Sequence, residues 1–206
     1  ATTRPAPRPP PTRRDEAVER LRTLQVESAE KMPDDVRGVY IGLRRADLQR
    51  LRPAAQPAQG APEGHQLYQE VLGNGAVVAY LVATRIDRVA QVQFLSRLPQ
   101  PQALVEHYRR LHDRYGDPAG FVDCPQSSAS APTRRIIWPG REVTVMEAIL
   151  AYEGSVSLTL AIAANAEVAA SLRRLECHPV ARRDLSDWPM AGELHGERVP
   201  VPRPQR

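Results

Sequence analysis

Few side chains in this sequence stand at spacings that support chemistry, and most of those sets have two readings. Cys124 and Cys177 are the only cysteines. In an exported chain they would join as a disulfide, and closing so long a loop would contribute ~4 kcal/mol on the chain-entropy relation. In a cytosolic chain they would stay as two buried thiols. Together with His178 they do not make a metal site, because the chain has no CxxC, no HxxxH and no fourth ligand at a useful spacing. Neither a metal nor a cofactor is expected.

His107 and His112 lie on one helix but point to different faces of it, and both neighbour arginines, so solvated surface histidines are expected. Glu147 interrupts an apolar strand. It is either a buried acid or, the reading preferred here, a residue facing water at an edge or paired with Arg134 or Arg135. A nucleophile needs a neighbouring base and an oxyanion site. The serines instead gather at Ser127, Ser128 and Ser130 and along one side of the last strand, with no GxSxG elbow. Gly73-Asn74-Gly75 reads as a hairpin turn rather than a phosphate cradle, since no helix follows it. No residue is therefore assigned a catalytic role, and the chain is read as a non-enzyme.

Composition narrows the partners. The formal net charge of +4 equals the contribution of Arg4, Arg8, Arg13 and Arg14 in an acid-free leader, which leaves the body about neutral. A pI near 9.4 thus does not signal a folded basic face for nucleic acid. No stretch reaches the ~20 apolar residues of a membrane span. The leader, rich in Pro and Arg, has the composition of an extended tether. Opening on Ala1 rather than Met, it fits an exported protein, periplasmic or associated with the outer membrane, tethered through a segment that has been removed. A cytoplasmic origin is the alternative.

The elements that must position these groups follow from periodicity. Residues 1–14 are read as linker and 15–32 as a helix with a thin stripe of Val18, Leu21 and Leu24. A first α+β unit occupies 33–98: an extended piece at Val36, Val39 and Ile41, a short helix ended by Pro53, a loop over 54–64, then strands at 66–72, 76–83 and RVAQVQFL. A second occupies 99–176. It has a helix over 102–115 with Leu104, Tyr108, Leu111 and Tyr115 on one face, a loop to Pro132, and three strands. In the last of these Val156, Leu158, Leu160 and Ile162 point inward. A closing helix runs over 166–176 behind an Asn165 cap, with Val168, Leu172 and Leu175 to one side. Residues 177–206 are read as an extended or disordered tail. Pro53 and Pro118, and likewise Gly75 and Gly140, are both 65 residues apart, which marks the two units as a duplication.

The expected fold is therefore α+β, with two related units of a helix and a three-stranded antiparallel meander. Alternation then puts Gln91, Gln93, Ser155, Ser157 and Thr159 on the outer face of the sheet, which should be flat and uncharged. Tyr68, Tyr80, Trp138 and Tyr152 are the candidate anchors for a partner there, because interface energy concentrates in large rigid side chains. The rival reading is a small-ligand or enzyme pocket between helix and sheet, lined by Tyr108, Tyr115 and Trp138 and served by Glu147, His107 or His112.

Two stretches carry a family resemblance. VYIGLRRADLQRLRP (39–53), with Arg52 where a Gly-x-Pro stop would be expected, and LHDRYGDP (111–118), followed by a strand bearing Ile137-Trp138, resemble the small outer-membrane-assembly lipoproteins of the SmpA/OmlA (BamE) type. The tandem arrangement resembles the β-lactamase inhibitor protein fold. That resemblance implies a non-catalytic role in binding another envelope protein, and it carries over no site residue.

Overall fold

The structure, a computed structural model, describes residues 12–98, 103–125, 133–152, 155–188 and 190–194, with the side chains of 151 and 152 excepted. The serines at 127, 128 and 130 and the leader up to 11 lie outside these residues, as does the end of the tail from 195.

Among the described residues the chain is α+β, with five α-helices and one nine-stranded, wholly antiparallel sheet. Helix α1 is Arg13–Lys31. It starts two residues earlier than its hydrophobic stripe suggests because Thr12 and Asp15 form a reciprocal capping box, so Arg13 and Arg14 belong to the helix rather than the linker. Those Thr12 hydrogen bonds also hold the Asp15 carboxyl below its ordinary pKa. The stretch bearing Val36, Val39 and Ile41 is not a strand. It forms a 3-10 turn at Asp34–Val36 and a series of turns that bury all three side chains.

Helix α2 (Arg45–Leu51) is followed by strands β1 (Gln56–Ala58), β2 (His65–Val71), β3 (Val77–Ala83) and β4 (Arg88–Leu98). Helix α3 (Ala103–Tyr115) is followed by β5 (Gly120–Cys124), β6 (Thr133–Pro139), β7 (Val143–Tyr152) and β8 (Ser155–Ala164). Helix α4 (Asn165–Arg174), β9 (His178–Pro179) and α5 (Ala191–Leu194) complete the chain. The strand order is β1-β2-β3-β4-β8-β7-β6-β5-β9, so β4 and β8, the last strands of the two segments, meet in the middle. The regions expected as loop, 54–64 and the stretch before Pro132, contain β1 and β5, giving four strands after each helix instead of three. Both outer strands are very short and each contains a proline, Pro57 in β1 and Pro179 in β9.

Strand alternation divides the sheet into two unlike faces. One is the core face. Tyr68, Tyr80, Val92, Ile162, Val145 and Trp138 sit opposite one another in register across six strands, all buried. They pack with Met32, Leu48, Leu104, Tyr108 and Leu111 from the three leading helices. Val156, Leu158, Leu160 and Ile162 face this side, as their alternation predicts. The segment after Cys177 is not a free arm up to 194, because Leu185, Trp188 and Leu194 enter the same core and Trp188 meets Phe121 edge-on.

Only one end of α1 shares this packing. Leu24 packs on the core and Ser28 is buried, accepting the Ile41 N–H at 2.9 Å, while Val18, Leu21 and Val26 are exposed. The helix is held instead at the turn between β6 and β7, where Glu27 accepts the N–H groups of Arg141 (3.0 Å) and Glu142 (2.8 Å). Gly140 is needed there, since a Cβ would lie 2.6 Å from the Val143 carbonyl oxygen as well as 1.8 Å from Glu27 Oε1.

Candidate functional site

The second face of the sheet has one helix on it. Met146, Ala161, Ala163 and Val168 form a separate small cluster, with Ile137 and Leu172 against it, and this seats α4 over β7 and β8. Asn165 is not its cap. Ala164 is the N-cap, because the Asn165 side chain accepts from Thr144 Oγ1 (2.7 Å) and donates to the carbonyls of Gly140 and Arg141. At the other end Glu176 takes a left-handed φ of 52°, and the Cys177 N–H returns to the Leu172 carbonyl at 3.0 Å. This turn aims Cys177 at β5, where it forms the Cys124–Cys177 disulfide across 53 residues of chain.

Beside α4 the sheet is left as an open recess of about 340 Å³. Its floor includes Gln91, Gln93, Ser157, Thr159, Ala148 and Arg135, and Ser171 and Arg174 of α4 with the capping Leu175 form one wall. Small side chains on β7 and β8 make the depression, and α4 makes it a groove. Four of the five polar strand residues expected on the outer face are thus brought together here: Gln91, Gln93, Ser157 and Thr159. Ser155 lies at the β8 start, paired with Tyr152, whose side chain is outside the described residues. The expected flat, uncharged surface is corrected on both counts, because the floor is recessed and contains a guanidinium.

Arg135 is half-buried and Nε is fully enclosed without a hydrogen-bond partner. Among the described residues its one polar contact is Nη1 to Met146 Sδ at 3.9 Å. Burial alone pushes its pKa down from the ordinary arginine value. The signal for it was present in TRRIIW: Ile136 and Trp138 share one parity of β6 and face the core, so Arg135 must face away.

The expected aromatic anchors lie elsewhere. Tyr68, Tyr80 and Trp138 are buried on the core face, so the groove carries none of them. Their polar ends have work in the fold. Tyr80 donates to Glu70 Oε1 at 2.5 Å, and Arg52 Nε donates to the same oxygen at 2.7 Å. Burial, then Glu70, raises the Tyr80 hydroxyl's pKa, while Glu70 raises that of Arg52. Trp138 Nε1 donates to the Gly116 carbonyl at 2.8 Å, and Tyr115 donates to the Lys31 carbonyl at 3.0 Å.

The helix–sheet layer proposed as the rival pocket is filled by these rings. Besides Glu70 it holds a second buried acid, Glu147. Glu147 is 1% exposed rather than at a wet edge, and it meets His107 rather than Arg134 or Arg135. His107 Nε2 is 3.1 Å from Glu147 Oε1, and Oε2 has no partner. Burial raises the Glu147 pKa, against a smaller lowering by His107. His107 is therefore not a free surface residue, whereas His112 is exposed and pairs with Asp117 at 2.9 Å. The cause lies in register: Glu147 is opposite Leu160 and Ile136 in the core-facing row, directly under α3.

No protein-family profile, curated protein or solved structure matches this chain. No described helix is long and apolar enough to cross a membrane.

Proposed function

We propose that the protein is a non-enzymatic binding module that holds a partner protein in the groove on the open face of its sheet. The observation that carries this reading is the groove itself. One face of the sheet is sealed by α1, α2, α3 and the C-terminal segment, while the other displays Gln91, Gln93, Ser157 and Thr159 in a recess with α4 as a wall. At about 340 Å³ the recess is at the small end of ligand sites and suits a protruding loop better than a large cofactor. Neutral hydrogen-bonding side chains on a rigid sheet suit a reversible contact with polypeptide.

In the same proposal the segments α2 to β4 and α3 to β8 are related units, a tandem of the SmpA/OmlA and β-lactamase-inhibitor-protein type. The repeated order of one helix and four strands supports this, as does the junction of the two final strands. The disulfide favours an oxidising compartment. The envelope, in the periplasm or at the outer membrane, is our proposed setting, with an envelope protein as partner.

A photo-crosslinking residue placed at Gln93 or Thr159, and separately at Arg50 on the exposed side of α2, tests the reading in native cells. A discrete adduct from the two groove positions and none from Arg50 is expected. An adduct from Arg50 alone, equal adducts from both faces, or no adduct from the groove would overturn it.

A further inference from the structure

The groove contains a charge that the fold leaves unanswered. Arg134 and Arg135 are neighbours on β6, and alternation sends them to opposite faces. Arg134 is compensated in full: its guanidinium reaches Asp187 Oδ2 at 2.8 Å and the Asp187 carbonyl at 2.5 Å, lies near Asp123, and stacks over Trp188. Among the described residues Arg135 has no ion pair, and no carboxylate lines the recess that it floors. The nearest other charge on the lining is a second guanidinium, Arg174. A polar group enclosed without its partner is costly, the more so when charged, and folded proteins satisfy nearly all such groups.

We propose that Arg135 is the recognition residue of the groove and that it receives a carboxylate, an Asp or Glu side chain presented by a protruding segment of the partner. The inference rests on the groove being the binding face. The guanidinium fork matches the two oxygens of a carboxylate. Thr159 lies in the same register row across β7, with Arg135 opposite Ala148 and Ala148 opposite Thr159, and offers a neutral donor on that side of the floor. With Arg174 on the wall the lining carries two guanidiniums, so net charge alone does not choose between a carboxylate and a phosphate dianion; the titration below separates the two. Desolvation by the partner then strengthens the pair, and a partner without an acid at that point would bury the guanidinium unpaired, so Arg135 selects as well as attracts.

The test uses the full ¹⁵N-labelled chain. The Arg135 Nε–H resonance, identified by its loss in Arg135→Gln, is followed during titration with N-acetylglutamate methylamide, with the glutamine analogue, and with inorganic phosphate at matched ionic strength. A saturable shift with the glutamate compound, and a clearly smaller one with the other two, is expected. No shift, an equal shift with the glutamine analogue, or a stronger response to phosphate overturns the carboxylate assignment. In cells, the adduct formed from Thr159 should fall about tenfold or more in the Arg135→Gln background. An undiminished adduct would sink the role of Arg135 while leaving the groove as the binding face, whereas no adduct with either background removes both. The thermal midpoint of Arg135→Gln, expected at or above that of the parent, shows that any loss is not unfolding.

Discussion

The two sides of the sheet handle charge and cohesion differently. On the core side the two most buried carboxylates each have a partner on at least one oxygen: Glu70 has Arg52 and Tyr80, and Glu147 has His107 at Oε1, with Oε2 unmet. The groove side has Arg135 without an acid and little apolar packing beyond the small cluster under α4. Cohesion on the core side comes from interlocked side chains. On the groove side it comes from one short helix and a covalent tie.

The largest expected effect tests the tie. Replacing both Cys124 and Cys177 by Ala should lower stability by 2–4 kcal/mol, with ~4 as the ceiling for a closed loop of 53 residues, read from the urea midpoint with the slope unchanged. The same variant should expose the amides of α4 to hydrogen exchange more than those of α3. Equal deprotection of both helices would break the contrast between a stapled face and a packed one.

Next, one substitution can be made on both faces. Arg52→Met leaves Glu70 buried without its cation and should cost about 3 kcal/mol. Arg135→Met removes an unanswered guanidinium and should leave stability unchanged or raise it by up to about 1 kcal/mol. Chemical denaturation of both variants checks this, and a loss of the same size in both would show that Arg135 is compensated after all.

The smallest effect concerns pH. The folded-state pKa of Glu147 is raised, so its contribution to stability is present below the ordinary carboxylate range and is lost as pH rises through the raised value. The difference in stability between the parent and Glu147→Gln should therefore shift against the parent across that window and be flat below it. Urea midpoints at a series of pH values measure the difference. A difference that moves in the parent's favour with rising pH would mean that His107 outweighs burial.

Much of the fold was legible in the residues. The alternation in RVAQVQFL and SVSLTLAI and the stripe of α3 are local signals, and the structure places those side chains accordingly. Strands β1, β5 and β9 were hidden because each is short and carries Pro or Gly, so no period can develop. Leu185 and Trp188 were hidden because irregular chain buries side chains at irregular spacing, and Leu194 because the four residues of α5 are too few for a period to develop. The pairing of β4 with β8 joins residues from 58 (Leu98 and Val156) to 72 (Gln91 and Ala163) positions apart, and nothing in either strand names its neighbour. The groove was half legible. Its neutral residues followed from alternation, but its depth depends on α4, and the aromatic rings chosen as anchors belong to the opposite face because large rings fill cores as readily as interfaces.

The outer margins of the sheet set a limit on how this protein can associate. With three residues in β1 and two in β9, and a proline lacking an N–H in each, neither border offers a row of backbone donors long enough to template another strand. Growth by strand addition is closed off, so concentrated solutions should not thicken into fibrils, and a visitor has to approach broadside.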